Sequence, residues 1–174
     1  MIKPHGSDTL NPLLVTDPQQ LQALQTEAES LPSLQLNSAA AANAVMLGAG
    51  YFNPLDGYMN LADALAVAEN LHTVDGLFWP VPVLNLVEDA SAIAGASRIA
   101  LRDPNTEGNP VMAIMDVSAI ETVSGAQIEM MAQQIFATTD PEHPGVATFT
   151  GLGRNLVSGS IQVLSLSYFQ ADFP

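Results

Sequence analysis

The stretch "SRIALRDPNTEGNPVMAIMDV", residues 97–117, contains two runs of strand-forming residues separated by a short polar loop. "SRIALRD" and "PVMAIMDV" are rich in aliphatic side chains, and "DPNTEGN" between them holds the proline, asparagine and glycine that favour turns. The pattern predicts two strands joined as a hairpin. The loop also has carboxylate and amide spacing like the start of a calcium loop. However, Ile114 stands at the twelfth position, where a carboxylate would have to close the cage, so a hairpin loop is favoured.

The segments that follow the hairpin alternate between strand and helix patterns. "AIETV", residues 119–123, is a further short strand candidate. "GAQIEMMAQQIFA", residues 125–137, has Ile128, Met131 and Ile135 at helical spacing and predicts a helix. "IQVLSLS", residues 161–167, alternates as a last strand would.

The segments before the hairpin are mainly helical. The sequence predicts three helices, over residues 17–31, 38–47 and 61–71, the second ended by the glycines at 48 and 50. Asp17 and Asn60 are expected to cap the first and third of these helices. "WPVPVLNLVE", residues 79–88, is expected to be extended, because its prolines disfavour helix. Helices and strands therefore mix without regular alternation, and we predict an α+β fold with a small curled sheet or barrel.

The glycine- and aromatic-rich stretch "GAGYFNPLDGYMN", residues 48–60, raises the question of a binding loop. A dinucleotide fingerprint would need a strand before it and a third glycine, but a helix is predicted there and Asn53 takes the glycine position. We therefore expect a packed turn around Pro54 and Gly57. The side chains expected to pack in this turn are Tyr51, Phe52, Tyr58 and Met59.

The charge balance limits the partners of the chain. Eighteen acidic residues face four cations, Lys3, Arg98, Arg102 and Arg154, which gives a net charge of −14. Such a charge repels polyphosphates and anionic lipids, so we expect no binding to nucleic acid or membranes. Cysteine is absent, which excludes disulfides and thiolate chemistry. The first residues lack the apolar core of a signal peptide, and a cytoplasmic protein is expected.

No catalytic or metal-binding group emerges from the side-chain pattern. His5, His72 and His143 do not pair at metal-ligand spacing, and the carboxylates are scattered. His143 neighbours Asp140 and Glu142, but prolines and a glycine surround it, so a hydrogen-bonded loop histidine is favoured over a catalytic base. We therefore predict no catalytic residue, no metal site and no cofactor in this chain, and leave its substrate-binding residues unknown.

Four motifs occur in an order that resembles a known family. They are "PHGSDTLNPLL" (4–14), "GAGYFNPLDGYM" (48–59), "LFWPVPVLNL" (77–86) and "TTDPEHPGV" (138–146). Together they resemble the N-terminal domain of ATP sulfurylase (sulfate adenylyltransferase) of the type found in sulfur-metabolising bacteria. The resemblance covers essentially the whole chain, and Ala137, where the family usually has glycine, is a minor departure.

The resemblance implies a fold and a role. The fold would be a PUA-like small β-barrel with flanking helices, and residues 1–174 would form one N-terminal domain. Such enzymes are nucleotidyltransferases that convert ATP and sulfate into adenosine 5′-phosphosulfate and pyrophosphate, or run the reverse in sulfur oxidation. The full-length enzyme would use Mg-ATP.

The family's catalytic motifs lie in a second, C-terminal domain. They are a Gln-x-Arg-Asn-Pro stretch, a His-Pro loop and a Gly-Arg-Asp loop, and the chain stops before them. "GRNL", residues 153–156, does not replace the first motif, because Leu152 and Leu156 stand where glutamine and proline would be. The isolated domain is therefore expected to be inactive and to have its own catalytic domain as partner, with a homo-oligomer also possible. The alternative is a stand-alone PUA-like module that binds RNA or another protein.

Overall fold

The computed structural model describes residues 2–171, in which five α-helices surround a six-stranded sheet. The helices are α1 (Pro18–Ala28), α2 (Ser38–Gly48), α3 (Leu61–Asn70), α4 (Gly125–Phe136) and α5 (Pro144–Thr150). The strands are β1 (Ser33–Gln35), β2 (Gly57–Tyr58), β3 (Leu86–Val87), β4 (Arg98–Arg102), β5 (Val111–Thr122) and β6 (Asn155–Val163). Two 3₁₀ turns, Ser91–Ile93 and Ser167–Ala171, complete the described elements. The predicted α+β class is confirmed.

The sheet is an open path among the described residues. Its order is β1-β4-β5-β6-β2, with β3 also paired to β6. Among the strand pairs of the described residues, β1 and β4 run parallel and the other pairs run antiparallel. The edge of β6 that faces away from β5 pairs with two short strands. β2 pairs with it near Gly159, and β3 pairs with it near Leu156. The sheet does not close into the expected barrel, and its edge strands β1 and β2 are only three and two residues long.

The central hairpin is confirmed, and its second strand is longer than predicted. β5 pairs with β4 and then with β6 along its length, and a bulge between Val117 and Ala119 lets it continue to Thr122. The two strands predicted over 111–123 are therefore one. The last strand also differs from the prediction, because it covers 155–163 and stops before 164–167.

Three backbone segments approach closely beside this bulge, and two glycines make the approach possible. A Cβ on Gly57 would lie 2.0 Å from the carbonyl oxygen of Gly159, and a Cβ on Gly159 would lie 2.0 Å from that of Asp116. Gly159 also has φ +150°, which L side chains rarely adopt. Gly57 of the aromatic-rich stretch thus joins β2 to the sheet.

The helix boundaries follow their caps. The side chains of Asp17, Asn37 and Asn60 accept hydrogen bonds from the third amide of α1, α2 and α3. The first helix ends at Ala28, earlier than the predicted residue 31. α5 was not predicted, since its segment contains the residues expected to form a turn; His143 is its cap and Pro144 its first residue.

The core consists of three clusters around the sheet. The largest packs α2 against the sheet, from β1 to β6, around side chains such as Leu47, Ile99 and Met115. A second cluster joins α3, α4 and α5, with Met131 and Leu156 fully buried. The third packs α1 on the sheet through Leu24 and Ile114. None of the helices within residues 2–171 has the length and apolarity needed to cross a membrane.

Candidate functional site

An apolar concavity lies beside the aromatic-rich stretch, and we call it the aromatic cleft. Its volume is about 460 Å³. Its lining residues come from the N-terminal segment, the turn after α2 and the segment after α3, and are His5, Tyr51, Phe52, Asn53, Phe78, Trp79, Pro80 and Val81. The cleft therefore brings together three of the four motifs that carry the family resemblance.

Asn53 holds these segments together from a buried position. Its side-chain oxygen accepts from the amide of Asn11 at 2.9 Å. Its side-chain nitrogen donates to the carbonyl of His5 at 2.9 Å and to the hydroxyl of Ser7 at 2.7 Å. Asn53 precedes Pro54 in a cis peptide bond. The residue that rules out a dinucleotide fingerprint is thus the polar anchor of the turn.

The rings divide into a buried floor and an exposed rim. Trp79 is 6% exposed, and its ring centroid lies 5.7 Å from that of Phe52, edge to face. His5 packs beside Trp79, and its Nε2 lies 2.8 Å from the carbonyl oxygen of Phe78. At the rim, Tyr51 is 64% exposed and Phe78 48% exposed. The rim rings are available for contact with another surface.

The prediction of a packed turn is correct for most of its side chains. Tyr58 and Met59 are buried in the main core, and Phe52 is half-buried against it. The hydroxyl of Tyr58 donates to the carbonyl of Ala40 at 2.7 Å, and burial raises the pKa of Tyr58. The expectation was wrong for Tyr51, which follows Gly50 at φ +80° and points away from the core.

The three histidines have structural contacts: His5 and His72 both contact Phe78, whereas His143 lies at the start of α5. His5 lines the aromatic cleft. His72 places Nδ1 2.8 Å from the carbonyl oxygen of Asn70, and its ring meets Phe78 edge-on. His143 accepts from the amide of Val146 at the start of α5. Within residues 2–171, no three His, Asp or Glu side chains are placed to hold a metal ion.

The four cations are spread over the domain. Lys3 pairs with Asp8, and Arg102 donates to the carbonyl of Asn109. Arg98 donates hydrogen bonds to Glu27 on α1, Asp116 on β5 and Gln162 on β6. Arg154 lies near Gly125, at the first residue of α4. They do not converge on one site.

Arg98 joins α1 to the sheet. Its Nε donates to Glu27 at 2.6 Å, and its Nη2 donates to Gln162 at 3.0 Å. Hydrogen bonds to Glu27 and then to Asp116 raise the pKa of Arg98. The positive charge of Arg98 is therefore paired with carboxylates of the same domain.

Asp103 is a buried carboxylate at the start of the polar loop whose spacing resembles the beginning of a calcium loop. It accepts from the amide of Asn105 at 2.8 Å, the hydroxyl of Thr106 at 2.7 Å and the hydroxyl of Ser167 at 2.5 Å. Burial alone would raise the pKa of Asp103, but these three hydrogen bonds outweigh it and lower the pKa below its ordinary value. The network ties the β4–β5 loop to the 3₁₀ turn at Ser167–Ala171.

The fold and the cleft define an α+β domain that offers an apolar surface. The PUA-like domain family matches residues 2–166. The chain therefore belongs to the PUA-like domain family.

Known relatives match the chain from end to end. It is 63% identical over 174 residues to a sulfate adenylyltransferase of Allochromatium vinosum and 62% identical to one of Alcanivorax borkumensis. It covers 100% of its own length in both cases, but only 44% and 43% of these relatives. A solved structure described as a hexameric APS kinase from Thiobacillus denitrificans matches with a TM-score of 0.66 and 28% identity, over 95% of this chain and 27% of that one. The chain thus spans less than half of the relatives' length.

Proposed function

We propose that this chain is the N-terminal, non-catalytic domain of a sulfate adenylyltransferase. The complete enzyme would join sulfate to ATP, giving adenosine 5′-phosphosulfate and pyrophosphate, or run the reverse. The observation that carries the proposal is the match of all 174 residues, at 63% identity, to 44% of such an enzyme. The four motifs are distributed over this domain in the order expected of its N-terminal part.

In this proposal the reaction chemistry belongs to the second domain. Transfer of an adenylyl group needs cations placed where negative charge develops on phosphate and sulfate. Here Arg98 is engaged with two carboxylates, and Lys3 pairs with Asp8. A net charge of −14 would further repel Mg-ATP and sulfate. We assign binding of Mg-ATP and sulfate to the catalytic domain and a supporting role to this one.

The reactants of the proposed enzyme indicate its location, and the charge of this domain limits its other partners. Because its reactants are ATP and sulfate, we place the enzyme in the cytoplasm. Nucleic acid is not a partner in this proposal, since phosphate contacts would have to overcome the acidic surface. The domain's own catalytic continuation is its main partner.

The test is a comparison of two proteins. One is the 174-residue chain, and the other is this chain joined to the remaining part of the Allochromatium vinosum relative. ATP formed from adenosine 5′-phosphosulfate and pyrophosphate is measured with a coupled luminescence assay. We expect turnover in the joined polypeptide and none in the chain alone. Turnover by the chain alone, or a folded joined polypeptide without turnover, would contradict the proposal.

A further inference from the structure

Exposed apolar side chains concentrate around the aromatic cleft. Tyr51 is 64% exposed, and Phe78 and Val81 are each 48% exposed. The turn between His72 and Phe78, whose ends meet in a β-bridge, and the residue before it add two more apolar side chains next to the cleft. Leu71 is 47% exposed and Val74 is 65% exposed. Soluble domains rarely expose contiguous apolar patches of this kind unless another surface covers them.

Two polar side chains of the aromatic cleft are already engaged within the domain, which argues against a small-molecule site. Such sites combine an apolar wall with free polar groups that orient the ligand. Here the amide of Asn53 is bonded to three partners, and Nε2 of His5 is engaged with the carbonyl of Phe78. The rim instead presents the rings of Tyr51 and Phe78 outward, an arrangement typical of a protein contact.

The relatives indicate what covers the cleft. More than half of the length of each sulfate adenylyltransferase cited above lies outside the part that this chain matches. Under the proposed function, that part must supply the cations that hold ATP and sulfate. A cation-rich surface complements a domain of net charge −14, and guanidinium groups favour the faces of aromatic rings.

We propose that the aromatic cleft is the docking surface for the catalytic domain of the same polypeptide, which places apolar and cationic side chains over Tyr51 and Phe78. This inference rests on the proposed function and adds the surface through which the two domains meet. The buried anchor Asn53 and the floor ring Trp79 keep the surface rigid before docking.

Because the chain has no cysteine, single cysteines can be introduced to test the docking surface. Tyr51→Cys and Val81→Cys each place one thiol at the rim, and Ile120→Cys places one on β5 as the control at another exposed apolar position. Each variant is made in the 174-residue chain and in the joined polypeptide. Reaction with a maleimide is followed peptide by peptide by mass spectrometry, so that cysteines of the added part do not interfere.

We expect labelling at positions 51 and 81 to slow at least about tenfold in the joined polypeptide, as for groups that react only when an interface opens. Labelling at position 120 should stay within about twofold, since a position outside the interface gains no such protection. Equal rates in both proteins at all three positions would overturn the proposal, as would equal protection of position 120.

Protection in the 174-residue chain that grows with its concentration would assign the cleft to a second copy and would also overturn the proposal. ATP formation by the unmodified joined polypeptide is measured separately. An active enzyme with unprotected rim cysteines would contradict the docking surface alone, whereas an inactive one would contradict the proposed function.

Discussion

Two neighbouring rings, Phe52 and Tyr51, have opposite environments at the scale of single residues. Phe52 packs against Trp79 and the main core, while Tyr51 is 64% exposed. We expect Phe52→Ala to lower the free energy of unfolding by about 2 kcal/mol, somewhat less than for a fully buried phenylalanine. At about 2–4 °C per kcal/mol, the melting temperature should fall by about 4–8 °C.

Tyr51→Ala is the matched control, because it removes an adjacent ring that contributes little to the core. Its melting temperature should change by no more than about 2 °C, since surface substitutions usually stay within about 0.5 kcal/mol. Calorimetry of both variants makes the comparison. If the two variants melt alike, the assignment of Phe52 to the core and Tyr51 to the rim is wrong.

The lowered pKa of Asp103 leads us to expect that the stability of the domain depends on pH. Folding lowers this pKa, so the stability that Asp103 contributes is fully present above the unfolded value of about 3.9 and is lost as pH falls through the folded value. Asp103→Asn should therefore destabilise the domain at pH 7, by about 1–3 kcal/mol for a disrupted buried network. The difference from the parent should shrink as pH falls from 5 towards about 3.

Melting temperatures of parent and variant across this range provide the measurement. Asp75→Asn, on an exposed turn, serves as the matched substitution and should leave the melting temperature at pH 7 close to that of the parent. A constant gap between parent and Asp103→Asn from pH 7 to about 3 would argue against an ionised Asp103 in the folded domain.

Residue-level prediction from sequence succeeds where the cause is local. Tyr58 and Met59 are buried as expected, because the turn and β2 lead them directly into the core. The exposure of Tyr51 and the role of Asp103 depend on distant neighbours. Ser167, the partner of Asp103, lies 64 positions away, and no local pattern indicates such a contact.

At the scale of secondary-structure elements, helix α2 is joined to the sheet by Asn37. Its side-chain oxygen accepts from the amide of Ala40, and its side-chain nitrogen donates to the carbonyl of Leu86 in β3, both at 2.9 Å. Asn37→Ala should cost about 1 kcal/mol for the cap and about 1 kcal/mol more for the lost bond to β3. Urea unfolding measures the sum.

Asp17→Ala is the control, since Asp17 caps α1 through Gln20 alone. It should cost about 1 kcal/mol, typical of a lost cap. Equal costs for the two substitutions would show that the bond from Asn37 to β3 adds nothing to stability.

Elements with local signals were predictable, and elements formed by distant pairing were not. The limits of α2 follow from the glycines after it, those of α3 from its periodicity and cap, and the β4–β5 hairpin from its turn residues. β1, β2 and β3 are two or three residues long and exist only because they pair with β4 or β6. α5 was missed because Pro141, Pro144 and Gly145 favour a turn in short-range sequence patterns.

At the scale of the whole molecule, the sequence predicted the α+β class and the family, while the aromatic cleft needed the structure. The four motifs are far apart along the chain, and only folding shows that three of them line one surface. The open sheet likewise needed the structure. The net charge of −14, by contrast, follows from composition alone. It argues against a binding site for polyanions in this domain.

The central claim is that this acidic domain supports the enzyme without holding its nucleotide. Isothermal titration of the 174-residue chain with adenosine 5′-phosphosulfate, in low salt, tests it most directly, because weak electrostatic attraction would be strongest there. We predict no saturable heat up to about 1 mM ligand, the range where binding free energy falls to about −4 kcal/mol. A dissociation constant of about 10 μM or tighter would correspond to a built nucleotide site in this domain and would contradict the account.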